Sequence, residues 1–228
     1  VLSRILQLRA IILISALAVV LGLGTHGPAS AAGQDSRAAR IVLDPARTTI
    51  AFRLDTAAHT VHGTFHLKSA AITVALATGE ASGAITIDAG SGQSGNSMRD
   101  FRMRNSILEV NKYPEITFIP RRAEFGDVPR GQSSLPVSLV GLIAIHGSSH
   151  ELTLPLTIAR HGDDFTVNTH FVVPYVSWGM EDPSMLFLTA SKQVEIDVTG
   201  FGHIVWISQV QGKNARHVLP APDQPAGH

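Results

Sequence analysis

The stretch SGQSGNSMRDFRMRNSILEVNKYPEITF, Ser91 to Phe118, reads in three parts. It opens with a Gly/Ser loop. From Asn96 to Leu108 the spacing predicts a short helix, with Met98, Phe101, Asn105 and Leu108 on one face and no β-branched residue until Ile107. Tyr113-Pro114 then opens a run, Glu115 to Arg122, with strand character. The stretch carries no catalytic signature. It is a helical insertion between strands, and the flanking segments decide the fold class.

Both flanks alternate with a period of two. Ile50, Phe52 and Leu54 oppose Thr49, Ala51 and Arg53. Val61, Gly63, Phe65 and Leu67 oppose Thr60, His62, Thr64 and His66. Ala70, Ile72 and Val74 continue, and after a Thr78-Gly79 turn come Gly83, Ile85 and Ile87. Beyond the helix, Leu135 to Ile145 and Glu151 to Ala159 alternate around a hairpin at His146 to His150. His161 to Asp164 turns into Phe165 to Tyr175, and Gln193 to Phe201 is the last strong strand. Sustained alternation means strands with one dry face. The domain is all-β, with about eight strands in a meander and no fixed-period repeat. Alternation alone fits a sandwich or a closed barrel. A closed barrel has no edge strands, and about eight strands leave room for a small ligand.

The N-terminus carries Arg4 and Arg9, an apolar run from Ala10 to Gly24, and Ala29 and Ala31 at an Ala-x-Ala site. This is the pattern of a cleaved signal peptide over 1–31. The run is shorter than the ~18 residues of a spanning helix, so an uncleaved anchor is the weaker alternative. Residues 32–40 read as a disordered leader, 41–206 as the folded domain and 207–228 as a flexible tail. Export places the protein in the periplasm or medium. The chain has no cysteine, so neither disulfides nor a lipid-modified cysteine are available. The 18 basic and 18 acidic residues balance, with no basic block. That excludes nucleic acid and a polybasic membrane-surface mode.

Further elements occur in order. Leu43-Asp44-Pro45 precedes a Gly63-Thr64-Phe65 strand. Asn96-Ser97-Met98-Arg99-Asp100 precedes Tyr113-Pro114-Glu115-Ile116-Thr117-Phe118. Gly141 to Gly147 reads GLIAIHG, and Val194 to Val198 closes the series. Together they resemble the YceI-like, polyisoprenoid-binding family of lipocalin-like barrels over about residues 41–201. Ile107-Leu108-Glu109 departs from the family's Phe-Phe-Asp, and Leu142-Ile143 stands where an acidic residue is usual. The resemblance implies a single antiparallel barrel whose apolar cavity takes a polyprenyl chain, an isoprenoid quinone or a similar amphiphilic lipid. No cofactor and no catalytic residue is implied. At about 0.3 kcal/mol per heavy atom, a chain of about 40 carbons yields about 12 kcal/mol, near nanomolar.

By alternation the inward residues are Phe52, Leu54, Phe65, Ile85, Phe118, Phe171 and Val173. Met98, Phe101 and Trp178 are expected at the mouth, the loop residues Met180, Met185 and Phe187 serving as core or lid. Arg99 and Arg102 read either as a solvated helix face pairing with Asp100 or as contacts to a diphosphate or quinone head. Asp100 buttresses the loop on both readings. Transient contact with a membrane fits a lipid carrier.

Other clusters carry less. His62 and His66 lie about 13 Å apart on a strand, too far to share a metal. His146 and His150 flank a turn, and a structural role is expected, His146 fixing the turn through its ring. Asp163-Asp164 and Glu181-Asp182 read as turn residues. No Gly-x-Ser-x-Gly, His-Glu-x-x-His or phosphate loop occurs. A solid structural β-sandwich is the rival from another class, and a hydrolase ranks third.

Overall fold

The alternating segments pair as one sheet that closes on itself. In the computed structural model, residues 37–128, 133–184 and 189–208 are described. The strands are β1 (Arg37–Leu43), β2 (Thr49–Asp55), β3 (Thr60–Ala75), β4 (Ala81–Gln93), β5 (Glu115–Phe125), β6 (Ser134–Ile145), β7 (Ser148–His161), β8 (Asp164–Val173) and β9 (Val194–Ser208). All pairings are antiparallel, and β2 through β9 form a ring closed by β2 with β9 and by β3 with β4. Closure overturns the sandwich reading.

Nine strands make eight staves. Arg37 to Leu43 pairs with Ser208 to Gly202, and Thr49 to Arg53 pairs with Thr199 to Glu195. On the other side β1 faces Ala71 to Ala75 and β2 faces Thr60 to Phe65 of β3. Thus β1 and β2 run in line along one stave. A 3-10 turn at Pro45–Arg47 interrupts it, capped by Asp44, whose Oδ1 accepts from Ala46 N (2.9 Å). The Arg47 guanidinium lies 3.2 Å over the Phe201 ring and holds this turn to β9.

Two boundaries differ from the sequence expectation. The first strand starts at Arg37, inside the segment read as a leader. Ala38 and Ala39 are buried because β3 and β9 flank them, a tertiary cover that small-residue composition does not reveal. The last strand runs to Ser208, past the expected boundary at 206. Residues 1–31, expected to be a signal peptide, residues 32–36 and residues 209–228 of the expected tail lie outside the described residues.

Irregularities set which faces point inward. Register shifts in the β3–β4 ladder, between Thr64 and His66 and between Leu67 and Ser69, move the inward set from Phe65 and Leu67 to Ala70, Ile72 and Val74. Pro120, fully buried in mid-strand, pairs with Gly141 beside the β5–β6 bulge, the kind of position where a strand accommodates proline. The β6–β7 hairpin turns on His146 and Gly147, both at positive φ (51° and 75°), a type I′ geometry matching strand twist.

The helical insertion is α1 (Ser97–Arg102), continued by a π-helical turn over Met103–Ile107. Asn96 caps it, Oδ1 accepting from Arg99 N at 3.0 Å. The π turn is set by Leu108 N donating to Met103 O (2.9 Å). That extra residue per turn shifts the helical phase. Met103, Ile107 and Leu108 face the barrel, while Met98 and Phe101 are 81% and 65% exposed.

Candidate functional site: an apolar tunnel with a polar vestibule

Inward side chains of the eight staves enclose two stacked chambers. The lower, of about 120 Å³, is lined by Ile41, Leu43, Leu67, Ile85, Phe118, Leu139, Phe165 and Val167, among others. The upper, of about 140 Å³, is lined by Phe52, Leu54, Phe65, Met103, Ile107, Val173, Tyr175, Met180 and Ile196, among others. Ile50, Ile87, Ile116, Ile143 and Phe171 line both, forming a waist between them. An apolar cavity of ~150 Å³ stays dry and accepts a benzene-sized guest, so each chamber is of ligand-holding size.

Above the upper chamber lies a vestibule of about 650 Å³. Phe52, Leu54, Met103, Ile107 and Pro183 line both spaces, so the apolar path is continuous from vestibule to upper chamber. Arginine, histidine and asparagine side chains enter only here: His59, Asn96, Arg99 and Arg102, with Ser94, share the vestibule with Val61, Met98 and Ala190. Arg99 Nε donates to Ser94 Oγ (2.7 Å) and its Nη2 to Ser94 O (3.0 Å). The buried Asp100 accepts from Ser94 N (2.8 Å) and Ser94 Oγ (2.5 Å), so it buttresses the loop as expected. Arg99 and Asp100 therefore meet at Ser94 instead of pairing directly. Arg102 binds Glu181 across the rim (3.0 Å).

A further part of the rim is latched. His146 Nε2–H donates to Glu109 Oε2 (2.8 Å), and the Tyr113 ring stands edge-on to His146 at 5.2 Å. Lys112 and, less strongly, His146 hold the Glu109 carboxyl below the usual carboxylate range. His150 stacks on Trp178, centroids 4.3 Å apart and planes 3° from parallel. The two histidines thus serve different partners. Among the described residues no cluster of three His, Cys, Asp or Glu is placed to hold a metal. Tyr175 OH donates to Ser191 O (2.7 Å), and burial pushes its phenol up to about 12. Asp182 Oδ1 accepts from Ser184 N (2.9 Å), and these Ser184 hydrogen bonds hold the Asp182 carboxyl low.

Of the residues chosen by alternation, Ile85 and Phe118 line the lower chamber, Phe171 the waist, and Phe52, Leu54, Phe65 and Val173 the upper chamber. Met98 and Arg99 line the vestibule. Two lie elsewhere. Phe101 points to solvent because the π turn rotates the other face inward. Trp178 is committed to His150 and lines neither chamber nor vestibule. Met180 is buried against the upper chamber, whereas Met185 and Phe187 lie outside the described residues. Sequence reasoning missed Met103, Ile107 and Tyr175. It also missed Thr169 Oγ1, a buried hydroxyl without a partner among the described residues, on a residue lining the lower chamber.

The YceI-like domain pattern matches residues 42–200, nearly the whole barrel. The chain belongs to the YceI-like family. Among solved structures, the YceI-like barrel is similar to Burkholderia cenocepacia BcnA, with a TM-score of 0.55 at 18% identity, covering 70% of this chain and 98% of that one. It is equally similar to a domain from Saccharophagus degradans, with a TM-score of 0.55 at 17% identity, covering 72% and 97%. That domain is described as polyisoprenoid-binding and implicated in plant cell wall breakdown. At these identities the likeness is one of fold. No functionally curated protein matches this YceI-like chain.

Proposed function

We propose that this YceI-like protein is an exported, non-catalytic carrier that sequesters one polyisoprenoid or similar amphiphilic lipid. The supporting observation is the continuous apolar path from vestibule through upper chamber to waist and lower chamber, with charge confined to the vestibule. The alkyl part occupies the chambers by partition into a dry site, and the head stays beside Arg99, Arg102 and His59. The chambers are small, so a chain of about 20 carbons suits them better than one of about 40. At about 0.3 kcal/mol per heavy atom it yields about 6 kcal/mol, tens of micromolar. The description of the Saccharophagus domain supports the isoprenoid class. The Arg4, Arg9 and Ala10–Gly24 pattern supports export to periplasm or medium. The exposed Met98 and Phe101 beside the vestibule support transient membrane contact.

Native mass spectrometry with lipid extraction, on protein recovered from an envelope fraction, tests this reading. One isoprenoid lipid per chain is expected. Protein that carries none, and takes up neither farnesol nor geranylgeraniol, overturns it.

A further inference from the structure

Four phenylalanine rings of the tunnel rest against glycines. A Cβ added at Gly63 would stand 2.3 Å from Phe52 Cζ, at Gly141 2.7 Å from Phe118 Cζ, and at Gly202 2.8 Å from Phe165 Cζ. At these three the same Cβ also meets a carbonyl oxygen within 2.4 Å, so backbone packing alone requires glycine. Gly92 differs. The three atoms nearest its Cβ would all be side-chain ends: Phe65 Cε1 at 2.6 Å, Met103 Cε at 2.7 Å and Phe65 Cζ at 3.1 Å. The backbone there does not need glycine's freedom, since Gly92 lies outside the positive-φ set.

We propose that Gly92 sets the bore between vestibule and upper chamber, and so decides which amphiphiles enter. The inference rests on the carrier reading above. Phe65 and Met103 both line the upper chamber, and Met103 lines the vestibule as well. Both settle into the hollow that the missing Cβ leaves. A methyl at residue 92 evicts them. The Phe65 ring is bounded by Phe52, 5.4 Å away between centroids, and Phe52 is itself seated on Gly63. The open direction is therefore inward. Met103 moves into the passage it already borders. The fold tolerates this because flexible side-chain ends yield, whereas backbone does not. Uptake does not tolerate it, because dispersion contacts and clearance change steeply over fractions of an ångström.

The test compares wild type, Gly92→Ala and Gly92→Ala/Phe65→Leu for binding of farnesol and geranylgeraniol, with thermal melts and crystal structures of wild type and Gly92→Ala. Gly92→Ala should bind geranylgeraniol at least tenfold more weakly while melting within a few degrees of wild type. The double variant, with a smaller side chain over residue 92, should return to within about threefold. In the crystal, Phe65 and Met103 should project into the upper chamber. Unchanged binding by Gly92→Ala overturns the inference, as does failure of the double variant to recover. So do unmoved Phe65 and Met103 side chains. If wild type takes up neither alcohol, the carrier reading falls, and the two crystal structures still decide what Gly92 does.

Discussion

Around the waist at Ile50, Ile87 and Ile143, the tunnel wall is held by strand ladders and by apolar side chains. The rim, residues 94–109, 174–184 and 189–191, is held by individual polar contacts instead. The wall spreads its stability over many small dispersion contacts. The rim concentrates its order in a few bonds, each with one donor and one acceptor. Replacing a wall residue should therefore act on global stability. Replacing a rim residue should act on the entrance and leave the barrel standing.

The largest effect is expected at Phe118, 4% exposed and lining the lower chamber. Phe118→Ala should lower unfolding free energy by about 3–5 kcal/mol in urea titration. A loss under about 1 kcal/mol would mean that the wall repacks freely and would break the contrast. Next comes Asp100→Ala, which frees Ser94 N–H and Oγ–H at the rim. A loss of about 2 kcal/mol is expected, with proteolysis confined to the helical insertion. Cleavage elsewhere in the barrel would show that rim and wall are one cooperative unit.

A smaller, pH-dependent effect belongs to the latch. Because the folded state holds the Glu109 carboxyl below its ordinary value of 4.5, its contribution is complete above that value and fades as pH falls through the folded value. The melting gap between wild type and Glu109→Gln should be constant from neutral pH down to about 5.5 and close below it. A gap that widens in acid would reverse the assignment. The smallest effect is a gain. Thr169→Val removes the unpartnered buried hydroxyl and should stabilise by about 1 kcal/mol, read in the same urea titration.

The wall was largely legible in the sequence because strands declare themselves by period. The register shifts in β3 coincide with a change of phase from Phe65 and Leu67 to Ala70 and Ile72, which the alternation reading passed over. The rim was legible in parts. Asp100 read correctly as the buttress of the loop, since it acts locally. Phe101 and Trp178 did not, for two reasons. A π turn has no residue signature, so counting at 3.6 residues per turn placed Phe101 on the inner face when Met103 and Ile107 occupy it. The partner of Trp178 lies on β7, distant in sequence, and local sequence carries no trace of it. Ala38 and Ala39 failed similarly, since two flanking strands bury what composition calls a leader.

The split stave bears on how the barrel is made. Its residues come first along the barrel, yet they pair with β9, which comes last; Arg53 and Glu195, joined at 2.8 Å, are 142 positions apart. A chain emerging from the ribosome can assemble the β5–β6–β7–β8 meander locally, but the seam stays open until Val194–Ser208 exists. Closing so long a loop before any seam contact rewards it makes this the slow, high-contact-order step. Until it happens, the isoleucine waist faces water along two unpaired edges, so the half-made barrel is the species on which chaperones and aggregation compete.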